Sequence, residues 1–325
     1  MSSLAVNSPP LSLLSTDPSM SKKLIIYSVL TRLWGNPSTK RVPHGTLTEN
    51  GAGKLSAFTP EALQYIRSLG ATHVWFIGLL EHATRTDYSA YGITPDHPDT
   101  VKGQAGSPYA VKDYYDIDPD LADDPLRRQE ELDALIHRTH EAGLQVVMDF
   151  IPNHVARAYH SDACPEGTVD LGATDDSSQA FSPRNNFYYL PDSTLILPLS
   201  TSSSPYEEHP ARATGNDCFS PRPTICDWYE TVKLNYGVDY CGDGALHADP
   251  LPDTWVKMRD ILLYWAGRGI DGFRCDMTEL VPAEFWVWAI PEIKAHYPEV
   301  CFLAEIYQPH RYAGYLQAGF DYLYD

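Results

Sequence analysis

An α/β fold built on a parallel sheet is what this 325-residue sequence predicts, and two observations predict it. Short apolar runs rich in β-branched and aromatic residues alternate along the chain with stretches of helical spacing. Each helical stretch is bracketed by its own start and stop residues, which is the rhythm of βαβ units. The length is ample for a full hydrophobic core, with two domains as the starting expectation and a single α/β barrel as the alternative.

The elements follow in order. Leu24–Leu30 reads as the first strand. Thr59 and Pro60 form an N-cap and first helical position, Leu63, Ile66 and Leu69 recur at helical spacing, and Gly70 closes the helix. His73–Gly78 is the second strand. Asp124-Pro125 opens a helix with Leu132, Leu135 and Ile136 on one face, and Gly143 ends it before the third strand, Leu144–Met148. Asp253 opens the next helix, through Trp255, Met258, Leu262 and Trp265, ahead of a fourth strand, Ile270–Cys275. Pro282 begins a helix that Pro291 interrupts, followed by the fifth strand, Val300–Ala304.

Two segments break the rhythm. Leu79–Asp123 is rich in Tyr, Pro, Asp and Gly, and residues 154–252 lack any clear helical period. Loops that long are usually functional or small domains of their own, and the aromatic content of the second argues against a disordered linker. The expected organisation is therefore a flexible Ser/Pro-rich leader (1–23), a first part of the α/β unit (24–153), an inserted loop-rich subdomain after the third strand (154–252), and a continuation of the α/β unit (253–325).

Composition excludes several function classes. The formal net charge is 24 − 43 = −19. Such an acidic surface repels phosphate backbones and anionic lipid, so neither nucleic acid nor a membrane surface is an expected partner. No apolar run reaches the ~18 residues of a membrane span. Tyr occurs 21 times beside 7 Trp and 10 Phe, a supply of flat apolar faces with polar handles that suits sugars and equally suits an aromatic core. The six Cys show no zinc spacing, and Cys275 and Cys301 sit in strand-like runs as small hydrophobes. The basic residues Lys22 and Lys23 follow the weak apolar stretch Leu11–Leu14 where a signal peptide has them precede it, so a cytoplasmic chain with reduced thiols is expected.

Three carboxylates share one pattern. Asp149, Asp276 and Glu305 each follow a buried apolar run. In parallel α/β sheets the carboxyl ends of the strands carry the ligand site, so the three converge on one rim. Convergent acids fit divalent-metal binding through oxygen or glycoside hydrolysis between two carboxyl groups. Arg274 lies two residues before Asp276, on the same face of an extended strand. A fixed cation there favours an ionised nucleophile over a metal ligand, with a purely structural Arg–Asp pair as the bland alternative.

The run Asp149-Phe-Ile-Pro-Asn153-His154 resembles the first signature of the α-amylase family, glycoside hydrolase family thirteen. Gly272-Phe-Arg274-Cys-Asp276 resembles the second, Leu303-Ala304-Glu305-Ile306 the third, and Tyr109-Ala-Val-Lys-Asp113-Tyr114 the segment after the second strand. The resemblance spans roughly residues 24–325. It implies a (β/α)8 TIM-barrel fold and a retaining glycosidase of α-glucosidic bonds, acting on an α-glucan or maltooligosaccharide. It implies that Asp276 is the nucleophile with a low pKa and Glu305 the acid and base with a raised one. Arg274 then orients Asp276, His154 bonds the sugar, Tyr109 stacks on it, and Asp149 supports the site. Asn153 matches a position that often ligates a structural calcium, against an even alternative in which it bonds backbone. No organic cofactor is implied.

The sequence departs from the family twice. Glu279-Leu280 stands where many amylases carry Lys-His, which favours a glucosidase, transglycosylase or isomerase over an α-amylase. The fourth signature, a His-Asp pair, is absent, and the sequence ends at what reads as the opening of a sixth strand. The expectation is a barrel truncated after about five βα units, with exposed sheet edges, poor solubility and no turnover by itself. Two other readings stay open: a non-catalytic glucan- or partner-binding relative, and a metal-dependent hydrolase liganded by Asp149, His154, Asp276 and Glu305. The oligomeric state is not legible.

Overall fold

Six parallel strands form one sheet at the centre of the molecule, seen in a computed structural model that describes residues 23–200 and 202–324. The expected leader falls, but for Lys23, outside the described residues. Among the described residues, twelve strands occur in chain order: β1 (Ile26–Leu30), β2 (His73–Ile77), β3 (Leu80–His82), β4 (Val111–Ile117), β5 (Gln145–Phe150), β6 (His154–Ala156), β7 (Tyr189–Leu190), β8 (Ala211–Arg212), β9 (Thr231–Lys233), β10 (Gly272–Cys275), β11 (Cys301–Glu305) and β12 (Tyr322–Tyr324). The α-helices are α1 (Leu47–Asn50), α2 (Pro60–Ser68), α3 (Arg128–Glu141), α4 (Asp253–Gly267), α5 (Ala283–His296) and α6 (Tyr312–Gln317). The sheet runs β1-β2-β5-β10-β11-β12, so each new central strand pairs with the one before it. That winding is the first part of a parallel barrel.

Period-two alternation sorts the side chains onto two faces. Val74, Phe76, Val146, Met148, Phe150, Phe273, Cys275, Phe302 and Ala304 join the buried core with the helices. There they meet Leu132 and Leu135 of α3, Met258, Leu262 and Trp265 of α4, and Phe285 and Trp286 of α5. The opposite face of the sheet carries Trp75, Asp149, Arg274, Leu303 and Glu305. Register locks them side by side: Arg274 pairs with Asp149 on one flank and Leu303 on the other, and Glu305 pairs with Tyr324.

Local chemistry explains most boundaries. The Thr59 hydroxyl accepts from the Ala62 N–H, and Pro60 takes the first position of α2. Gly143 adopts a positive φ of 74° beyond the end of α3, as a helix stop requires. Asp124 caps a short 3-10 turn, Pro125–Arg127, and α3 proper starts only at Arg128.

Two expectations need correction. Helix α5 runs unbroken through Pro291. A helical proline leaves the carbonyl four residues earlier without its donor, and that residue, Val287, lies on the exposed face, where water can serve it. Asp149 lies inside β5 and does not follow it.

The two irregular segments have structure of their own. Leu79–Asp123 contains an antiparallel β3–β4 pair, with β4 buried along its whole length. Residues 151–252 carry two short antiparallel pairs, β6–β9 and β7–β8. The Arg157 guanidinium holds the second segment together from inside, donating to the Tyr229 and Thr231 carbonyls and to the Glu208 carboxylate, the last at 2.7 Å.

Candidate active site at the carboxyl rim of the sheet

Arg274 is the centre of the site. Its guanidinium reaches Asp276 at 2.8 Å, Asp149 at 3.2 Å and Glu305 at 2.6 Å, so acids from three strands share one buried cation. It also donates to the Tyr324 hydroxyl of β12 and lies over the rings of Trp75 and Tyr109, at 5.1 and 5.5 Å. Each position follows from the strands. Arg274 projects from β10, and Asp276, two residues on, emerges on the same side just past the strand end. Met277 then turns left-handed (φ 44°), and its N–H donates to Glu305 at 2.8 Å. That bend ties the end of β10 to the end of β11.

Electrostatics here depart from the expectation of a low Asp276 pKa. Burial pushes the Asp276 carboxyl up to about 7, with Arg274 opposing and Glu305 and Asp149 adding repulsion. One guanidinium faces three carboxylates, and its charge cannot offset the loss of water around all of them. Asp149 is pushed up to about 6, again chiefly by burial, while it accepts from the Gly78 N–H at 3.2 Å. His154 is pushed down to about 3 by burial and by the Lys233 ammonium, which leaves a neutral imidazole available as a hydrogen-bonding group.

A cleft of about 470 Å³ opens over these groups, lined among others by Tyr109, His154, Trp228, Asp276, Glu305 and Tyr307. The His154 ring lies 5.1 Å from that of Trp228. Tyr109 and Trp228 bring flat faces and the carboxylates bring acceptors, a combination suited to a pyranose ring. A second cavity of similar volume lies on the inner face of the sheet between β1 and β12, lined by Ile26, Ser28, Trp75 and Leu323. It holds none of the three acids.

Thus the structure gathers Tyr109, His154, Arg274, Asp276 and Glu305 around one cleft, with Asp149 beneath it behind Arg274. Asn153 is buried outside the cleft lining, in the junction with β9. Sequence reasoning missed Tyr307, whose hydroxyl donates to Glu305 at 2.8 Å. It stands two residues past Glu305, the same spacing that betrayed Arg274. Trp228 and the Lys102–Glu230 ion pair (2.8 Å) also line the cleft from the irregular segments, where no local pattern announces them. The metal-hydrolase reading fares poorly, because a guanidinium fills the space between the acids. Among the described residues, the acid groups close enough to share an ion are Glu81/Asp113/Asp116 and Asp239/Asp243/His247, neither at the cleft.

Comparison with known proteins agrees with this geometry. The pattern of the family described as "Alpha amylase, catalytic domain" matches residues 44–192. Over that segment the chain carries the pattern of the alpha-amylase family. Within that family, it is similar to the alpha-1,4-glucan:maltose-1-phosphate maltosyltransferases of Cereibacter sphaeroides, 25% identical over 75% of this chain and 32% of the relative. The enzyme of that name from Corynebacterium glutamicum is 25% identical over 92% of this chain and 34% of the relative. The chain therefore spans about a third of the length of those curated relatives. Among solved structures, an alpha-amylase from Lactobacillus plantarum superposes with a TM-score of 0.56 at 26% identity, covering 93% of this chain and 52% of the other. The sheet is accordingly a curled parallel half-barrel like that of an alpha-amylase catalytic domain.

Proposed function

We propose, in place of the expectation that the chain has no turnover by itself, that this protein cleaves α-glucosidic bonds with retention, through a covalent glycosyl-enzyme on Asp276. The observation that carries the reading is that Asp276 and Glu305 meet on a single buried guanidinium at the floor of a cleft walled by Tyr109, His154 and Trp228. In the first step an Asp276 carboxylate oxygen attacks the anomeric carbon, the glycosidic C–O bond breaks, and the Glu305 proton passes to the leaving oxygen. In the second, Glu305 takes a proton from an incoming hydroxyl, whose oxygen attacks the same carbon and releases Asp276. Arg274 holds both carboxyls in place throughout. Neutral His154 hydrogen-bonds the sugar, Tyr109 stacks on it, and Asp149 anchors the far side of Arg274. Residues 154–252 act as the inserted subdomain that forms one wall.

The incoming hydroxyl belongs either to water or to a second sugar. The transferase names of the relatives favour a sugar acceptor and an α-glucan substrate. Product analysis with maltooligosaccharides separates the two: products longer than the substrate mean transfer.

The division of labour is tested by leaving group. Glu305→Ala is expected to lower kcat on maltooligosaccharides by about 10²–10⁴-fold. Read as kcat/KM, which ends at formation of the glycosyl-enzyme, the same variant is expected to spare an α-glucosyl fluoride, whose leaving group needs no proton to depart. Equal loss of kcat/KM on both substrates removes Glu305 from the role of acid.

A further inference from the structure

The family resemblance matches Asn153 to a position that often ligates a structural calcium, with a bond to backbone as the even alternative, and the residues around Asn153 do not fit the ion. The Asn153 carbonyl oxygen Oδ1 accepts from the Lys233 ammonium at 2.8 Å, and its Nδ2 donates to the Gly215 carbonyl at 2.7 Å. Lys233 Nζ also meets Asp217 Oδ1 at 2.6 Å and lies 5.4 Å from the centre of the Tyr240 ring. An ammonium has three donors and no acceptor. Two oxygens and an aromatic face therefore take up its whole donor set. Calcium needs six to eight oxygens at about 2.3–2.6 Å. Here both side-chain oxygens already face the unit positive charge of Lys233, and a second cation at that spot is repelled.

We infer that the side chain of Lys233 supplies, as part of the chain, the cation that fastens the inserted segment to the end of β5, so that this junction requires no calcium. The backbone shows why the position matters. Lys233 pairs with His154 in the β6–β9 register, and the Leu234 N–H donates to the Asn153 carbonyl at 2.9 Å. The ammonium thus closes a clip whose other jaw is the residue next to His154. Burial drives the Lys233 pKa down and Asp217 resists that shift, as a paired interior cation should behave.

The test reads metal content and melting, neither of which depends on catalysis. Purified protein is dialysed against chelator, assayed for calcium by mass spectrometry, and melted with excess chelator and with millimolar calcium. The expected result is no stoichiometric calcium and the same Tm under both conditions. One tightly held calcium per chain, with a Tm that falls by several degrees on its removal, overturns the inference. Lys233→Met keeps the length and loses the charge, leaving the buried Asn153 Oδ1 without its donor; its Tm is expected to drop by a few degrees. A Lys233→Met protein that melts with the wild type also overturns it. Should that variant fail to fold, the wild-type melts decide alone.

Discussion

In the proposed mechanism Asp276 is the nucleophile, and its environment makes a pH prediction. A nucleophile must be ionised, and burial has pushed this carboxyl up to about 7. Below that pH the protonated form accumulates and cannot attack. The kcat/KM of the free enzyme is therefore expected to fall as pH drops through about 7, well above the range of an ordinary aspartate. A profile flat down to pH 5 contradicts this account of the site. The position of Asp276 was legible in the sequence, because a two-residue spacing from Arg274 on an extended strand fixes a shared face. Its pKa was not. The reading saw one guanidinium beside one carboxylate, whereas Asp149 and Glu305 also face Arg274 from strands more than a hundred residues before and about thirty after. A local spacing shows the partner on the same strand and hides those on the neighbours. Tyr307 and Trp228 divide the same way: the first lay within reach of the spacing rule, and the second arrives from a loop.

Among the elements, those with a period were legible and those without one were not. Strands β1, β2, β5, β10 and β11 and helices α2 to α5 announce themselves by apolar runs, N-caps and glycine stops. Strand β4 carries Lys112, Asp113 and Asp116 and is buried throughout, so its sequence shows no alternation and reads as loop. The segment between β5 and α4 is held by buried charge more than by hydrophobic pattern. Glu208 accepts from Arg157 and Arg212, each at 2.7 Å, and from the Arg212 N–H at 2.8 Å. Removing it leaves the buried Arg157 guanidinium and the partly buried one of Arg212 without a counter-charge. Glu208→Ala is expected to cost about 3–5 kcal/mol in denaturant unfolding. The two arginines hold the Glu208 pKa below its ordinary value against the effect of burial. Its stabilisation is therefore full above the ordinary glutamate range and is lost as pH falls below that range. Wild type and variant should converge in stability toward strong acid; a gap that persists there shows that the loss is one of packing and not of charge.

At the scale of the whole molecule, the sheet winds without a strand exchange and brings three strand ends to one rim, which is why a single arginine can serve three acids. The reading of the fold as the opening portion of a parallel barrel came from the order of motifs, and the sheet order agrees, including the sixth strand at Tyr322–Tyr324. Strands β1 and β12 each have one partner among the described residues, and the inner cavity lies between them. The proposed chemistry depends on this architecture only at its rim, so the most direct test is made there. The protein is treated with a fluorinated α-glucosyl reagent that forms the intermediate quickly and releases it slowly, then digested and mapped by mass spectrometry. The account predicts one glycosyl adduct, on the peptide containing Asp276, absent from Asp276→Asn. An adduct on another carboxylate, or turnover of maltooligosaccharides by Asp276→Asn at the wild-type rate, contradicts it.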